Sequence, residues 1–171
     1  MNLNKLFEIQ KELDTKIVNE HNLQDQDLLP KKILALQVEL GELANEWRGF
    51  KFWSKDQEPR NFWTPRLPEA DSPLLEEYVD CLHFILSIGL HDQRFTRLKV
   101  TQRKMDSVVD QFLYLGNKVS DFACFRTRGN FQQIINYFFG LGELLGFTRE
   151  QIEHAYLDKN KVNHERQENG Y

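Results

Sequence analysis

Four carboxylates carry the chemistry that this sequence suggests first. Glu39 and Glu42 stand three residues apart in Val38-Glu39-Leu40-Gly41-Glu42-Leu43-Ala44-Asn45-Glu46-Trp47, and Glu77 and Asp80 repeat the spacing in Glu76-Glu77-Tyr78-Val79-Asp80-Cys81-Leu82-His83-Phe84. On a helix, positions i and i+3 share a face, so each pair aims two acids at one point. Four such acids repel one another unless a cation sits among them. Mg²⁺ suits the set: it takes hard oxygen ligands and keeps open positions for water or substrate phosphate. The plainer reading is two solvated helix faces, because acidic side chains are normally exposed.

The elements around these acids decide how they are held. At about 100° per residue, Ile33, Leu36, Leu40, Leu43 and Trp47 make an apolar stripe, and Glu39, Glu42 and Glu46 cluster beside it, bordering a core. Pro30 suits the first turn of that helix and Gly49 its end. Ser72-Pro73 signals the start of the second acidic helix, which runs to about Gly89. Leu75, Tyr78, Val79, Leu82, Ile85 and Leu86 form one wide stripe there, with Phe84 and Ile88 on the other side near Glu77 and Asp80. A helix apolar on two sides is largely buried, and buried carboxylates need cations.

Further helices are expected over residues 3–20, where Gln10 and Asp14 lie one turn apart, from Ser107 to Phe125, and from Phe131 to Leu145 after a break at Arg126 to Gly129 and a cap at Asn130. A last one opens at the Thr148/Gln151 capping box. Asn19 to Leu29 and residues 92–104 read as connections. Phe50 to Asp71, with three of the five prolines and the aromatics Trp53, Phe62 and Trp63, reads either as a functional loop or as an aromatic-anchored surface crossover. No stretch alternates like a strand. The expected fold is a single all-α domain over residues 1–171, a bundle of five to six helices.

Near the end, Lys159, Asn163 and Arg166 fall at i, i+4 and i+7, so a helix presents a point charge and a planar guanidinium on one side, suited to phosphate oxygens; a solvated terminus is the alternative. His83, three residues after Asp80, reads as an outer support of the metal site, a substrate contact or a satisfied core histidine. No sequence order suggests a covalent nucleophile, and no glycine-rich phosphate loop occurs.

Composition narrows the partners. The chain has 171 residues, 40% of them hydrophobic and 13 of them Phe, which supports a sizeable core, and its net charge of −4 argues against polymeric nucleic acid and anionic membranes. No apolar run reaches the roughly 18 residues of a membrane span. The first residues lack the pattern of a signal peptide, and the two cysteines, Cys81 and Cys124, are spaced as buried thiols of a reducing compartment, so a cytoplasmic protein is expected.

The pattern Glu39-x-x-Glu42…Glu77-x-x-Asp80 resembles the signature of the all-α nucleoside triphosphate pyrophosphatases, the MazG-like superfamily. The segments Glu39-Leu40-Gly41-Glu42-Leu43-Ala44-Asn45-Glu46 and Phe50-Lys51-Phe52-Trp53-Ser54, with Lys159-Asn160-x-x-Asn163-x-x-Arg166-Gln167-x-x-Gly170-Tyr171, look more specifically like the dimeric dUTPases. The resemblance spans nearly the whole chain, although residues 95–128 carry no matching motif. It implies a homodimer that hydrolyses dUTP, and also dUDP, to dUMP with Mg²⁺ or substituting Mn²⁺. It assigns metal binding to Glu39, Glu42, Glu77 and Asp80, water orientation to Glu46, phosphate binding to Lys159, Asn163 and Arg166, and base or sugar contacts to Gln10, Trp53 and His83. The rival readings are a MazG-like pyrophosphatase for dCTP or a damaged nucleotide, and a helical interaction module without activity.

Overall fold

The computed structural model describes residues 1–60, 72–96 and 99–170. Among them the chain is helical, with no strand: α1 (Leu3–Glu20), α2 (Leu29–Trp47), α3 (Pro73–Gly89), α4 (Gln93–Thr96), α5 (Val108–Cys124), α6 (Arg128–Leu144) and α7 (Arg149–Glu168). The all-α expectation holds. Six of these are full helices; α4 is a single turn inside the stretch expected as a connection. None of the described helices is long and apolar enough to cross a membrane.

Helix α3 is the axis of the bundle, packed against α2, α1, α7, α4 and α6, while α5 pairs with α6 and touches α2. Its apolar residues, from Leu74 and Leu75 through Tyr78, Val79, Leu82, Ile85, Leu86 and Ile88, are buried nearly all round. Each such side chain stabilises the fold by about 1.5–3 kcal/mol when fully buried. Tyr78 stacks on Phe138 with ring centroids 4.3 Å apart and donates its hydroxyl to the Phe138 carbonyl at 3.1 Å. This central position makes α3 a firm support for the acids on its polar flank.

The helix ends follow local chemistry. Ser72 caps α3 by accepting from the Leu75 amide, with Pro73 behind it. Thr148 and Gln151 form the reciprocal capping box of α7, which runs unbroken to Glu168, so the polar tail is helix. Two boundaries differ from the sequence expectation. Thr127, not Asn130, caps α6, its hydroxyl accepting from the Asn130 amide; Gly129 is absorbed into the first turn, where one glycine costs only about 1 kcal/mol. Helix α2 stops at Arg48, whose backbone takes the left-handed conformation with φ 65°. The Arg48 side chain is buried and holds the following turn by bonds to the Asp56 carbonyl and carboxylate at 2.8 and 2.9 Å.

That turn displays its aromatics. Phe52 and Trp53 meet edge to face 4.9 Å apart and are 85% and 65% exposed, so they are not anchored in their own core. Phe62, Trp63 and Tyr171 lie outside the described residues. Cys81 is buried as expected, whereas Cys124, in the last turn of α5, is exposed.

The stretch without a recognisable motif is tied down by polar side chains. Gln111, fully buried, donates to the carbonyls of Arg103 and Tyr137 at 3.0 and 2.6 Å and accepts from the Met105 amide at 2.7 Å. Gly140 lets this strap lie flat on α6, since a Cβ there would stand 1.9 Å from the Arg103 carbonyl oxygen.

Candidate active site

Packing α2 along α3 brings the two acidic pairs together, but unequally. Glu39, Glu42 and Glu77 each offer a carboxylate oxygen within 4.8 Å of the others. Burial, followed by the charges of Asp80 and Glu42, pushes Glu39 up to about 7. Burial likewise pushes Glu77 up to about 7, with Asp80, Glu42, Glu39 and Glu76 adding to it. Hard oxygens this close, partly withdrawn from water and mutually repelling, are the donor set of a divalent cation.

Asp80 stands apart from this trio because a lysine holds it. Lys159 Nζ on α7 lies 2.6 Å from Asp80 Oδ2 and 2.7 Å from Glu76 Oε1. Burial raises Asp80 and the lysine opposes that rise; at Lys159 burial works against the charge, but its two acid partners win and raise it. Geometrically, the Lys159 ammonium is seated on the fourth acid. Glu46, one turn beyond Glu42, is occupied by Arg60 Nη1 at 3.1 Å and does not join the trio.

A cleft of about 430 Å³ opens beside the acids. It is lined by Glu39 from α2, Asp80 and His83 from α3, Gln10 from α1, and Asn163 and Arg166 from α7, so six residues named from the sequence, on four separate helices, meet on one surface. Leu13, Ile17, Ala35 and Phe84 give it apolar walls. Trp53 lies outside this lining.

The inner end of the cleft is a hydrogen-bonded relay. Gln10 Nε2 donates to Asp14 Oδ1 at 2.7 Å, and Asp14 Oδ2 also receives Lys32 Nζ at 2.8 Å and the Ser87 hydroxyl. Gln10 Oε1 faces His83 Nδ1 at 2.8 Å and accepts from the Tyr156 hydroxyl at 2.9 Å. Tyr156 also stacks on the His83 ring, centroids 4.2 Å apart. Burial, and then the Lys159 charge, push His83 down to about 3, so the imidazole is neutral. Among the described residues, His83 Nε2 and Asn160 Nδ2 are buried side-chain atoms with no hydrogen-bond partner.

Sequence reasoning did not name Asp14, Lys32, Ser87, Tyr156 or Asn160 as site residues. A signal existed for some of them: Gln10 and Asp14 are one turn apart on α1, as are His83 and Ser87 on α3, and Tyr156, Asn160 and Asn163 share a face of α7.

A protein-family model described as dUTPase matches residues 2–171 of the chain. No curated protein matches it.

Proposed function

The chain belongs to the dUTPase family, and from that premise we propose a Mg²⁺-dependent enzyme of one all-α domain, residues 1–171, that cleaves dUTP to dUMP and pyrophosphate and accepts dUDP with release of phosphate. Membership makes it a dUTP diphosphatase that works with a divalent metal. The observation that carries the finer reading is the meeting of Glu39, Glu42 and Glu77 at the edge of a cleft that also presents Asp80, Asn163 and Arg166.

In this reading Glu39, Glu42, Glu77 and Asp80 hold Mg²⁺, with Mn²⁺ able to substitute. When bound, the metal supplies charge neutralisation for the phosphates and acidifies water. Lys159 leaves Asp80 for a phosphate oxygen, and Asn163 and Arg166 fix the remaining oxygens, orienting the chain of phosphates. Glu46 orients the attacking water once Arg60, the more exposed partner of their ion pair, swings away. The water oxygen bonds to the α-phosphorus as the bond to the bridging oxygen breaks, its proton passes to the Glu46 carboxylate, and pyrophosphate leaves with the electrons of the broken bond. His83, held by Gln10, and Asn160 read the base, and the apolar walls of the cleft reject the methyl of thymine. The reaction keeps uracil out of DNA and supplies dUMP in the cytoplasm.

A panel of the four normal dNTPs and dUTP with Mg²⁺ tests this. We expect dUTP to exceed dCTP by at least about a hundredfold in kcat/KM, since a mismatched polar base edge leaves buried groups unpaired, and pyrophosphate to be released. Equal rates across the panel would favour a broad MazG-like pyrophosphatase, and none would favour an interaction module.

We also propose a homodimer. Leu34 and Val38 on α2, Leu113 on α5, and Phe52 and Trp53 are exposed, more apolar surface than a solitary bundle usually leaves in water. A second copy covering this face would account for it, and would offer Trp53 a site other than its own cleft. Sedimentation should give about twice the chain mass of 20.4 kDa; a monomer at micromolar concentration would exclude it.

A further inference from the structure

The relay at the closed end of the cleft has a direction. Asp14 accepts from Lys32, Ser87 and Gln10, so it presents only oxygen to the Gln10 amide. The amide nitrogen turns toward Asp14, and Gln10 Oε1 faces the other way, where a second contact is needed to hold it. The Tyr156 hydroxyl donates into that same oxygen and reinforces the orientation. An amide oxygen cannot donate, so the proton shared with His83 belongs to His83 Nδ1. A neutral imidazole with its proton on Nδ1 carries a bare lone pair on Nε2. Nε2 itself makes no hydrogen bond within the protein.

We propose that Tyr156 and Asp14 are positioning residues that lock the Gln10 amide and thereby the Nδ1–H tautomer of His83, so that its Nε2 accepts a hydrogen bond from an N–H of the ligand and selects an imide over an amidine edge. Uracil carries such an N–H at N3, flanked by carbonyls; cytosine carries a lone pair there, which would oppose Nε2. Selectivity then comes from the direction of one hydrogen bond, set two residues away from the base. The assignment of the ligand rests on the dUTPase reading; the tautomer does not.

The test uses ¹⁵N-histidine NMR on the full-length metal-free protein, together with steady-state kinetics of Tyr156→Phe, which deletes the hydroxyl and keeps the ring stacked on His83. Wild-type His83 should show a pyrrole-type Nδ1 and a pyridine-type Nε2, with Nε2 shifting on addition of dUMP. In Tyr156→Phe the two tautomers should mix, KM for dUTP should rise about tenfold with a much smaller fall in kcat, and the preference for dUTP over dCTP should narrow by a similar factor, the size of one lost buried hydrogen bond. Asp14→Asn, which can turn an amide N–H toward Gln10, should mix the tautomers in the same way. A pyridine-type Nδ1 in the wild type overturns the proposal, as does a Tyr156→Phe spectrum and base preference identical to wild type. A wild type inactive on dUTP would sink the function while the spectrum still decides the tautomer.

Discussion

Glu77→Gln is expected to lower kcat/KM for dUTP by about a thousandfold or more while leaving the helical spectrum intact, the scale on which loss of a principal transition-state charge contact is felt. The substitution keeps shape and removes charge. Glu77 stands within 4.8 Å of both Glu39 and Glu42 through carboxylate oxygens, so an amide there takes one anionic donor from the set that would hold the cation. The same change should not weaken the metal-free fold. Its raised pKa shows that the carboxylate is held against burial and against four neighbouring acids, and neutralising it relieves that repulsion. With solvent screening of a half-exposed group the gain is modest, and Tm at pH 8 should rise by about 2 °C. A variant that is as active as wild type would mean that these acids only solvate a helix face. Lost activity with a lowered Tm would mean that Glu77 supports the fold instead.

The bundle and its acidic pairs were legible because their signals are local. Ser72-Pro73 and the Thr148/Gln151 box act within one turn, and i, i+3 spacing fixes which carboxylates share a face. What sequence could not show was which charges pair across helices. Asp80 reads as equivalent to Glu77, yet Lys159 from α7 sits on it and on Glu76, and the trio that converges is Glu39, Glu42 and Glu77. The relay was hidden for the same reason: Gln10 meets His83 across 73 positions and Tyr156 across 146. Tyr156 reads as an ordinary apolar position of α7, and only its hydroxyl's partner reveals a second role. Cys124 misleads in the opposite sense, since residue type alone suggested burial and it is exposed.

Metal binding should be coupled to proton release with a sign that the two raised acids dictate. Glu39 and Glu77 both stand near pKa 7 in the folded protein against an ordinary glutamate value of 4.5. Between those values the folded metal-free protein holds protons that the unfolded chain has lost. Their contribution therefore destabilises the metal-free fold progressively as pH rises from about 4.5 to about 7, and the loss is complete above that. A divalent cation needs the deprotonated carboxylates, so it removes the penalty and displaces whatever protons remain. Calorimetric Mg²⁺ titrations at pH 6 in buffers of different ionisation enthalpy should therefore show about one to two protons released per cation bound, falling toward zero at pH 8.5. kcat/KM should rise with pH through an apparent pKa near 7, shared by the pair and belonging to neither acid alone. EDTA should abolish turnover, Mg²⁺ should restore it, and at pH 8 the added cation should raise Tm by an amount that grows with its concentration. Proton release that is equal at both pH values, or turnover that persists in EDTA, would break the link between these carboxylates and the metal. Because the ammonium of Lys159 already sits on Asp80, the cation's first hold should fall on Glu39, Glu42 and Glu77, and Lys159→Met should strengthen Mg²⁺ binding in the absence of nucleotide even as it weakens binding of the triphosphate.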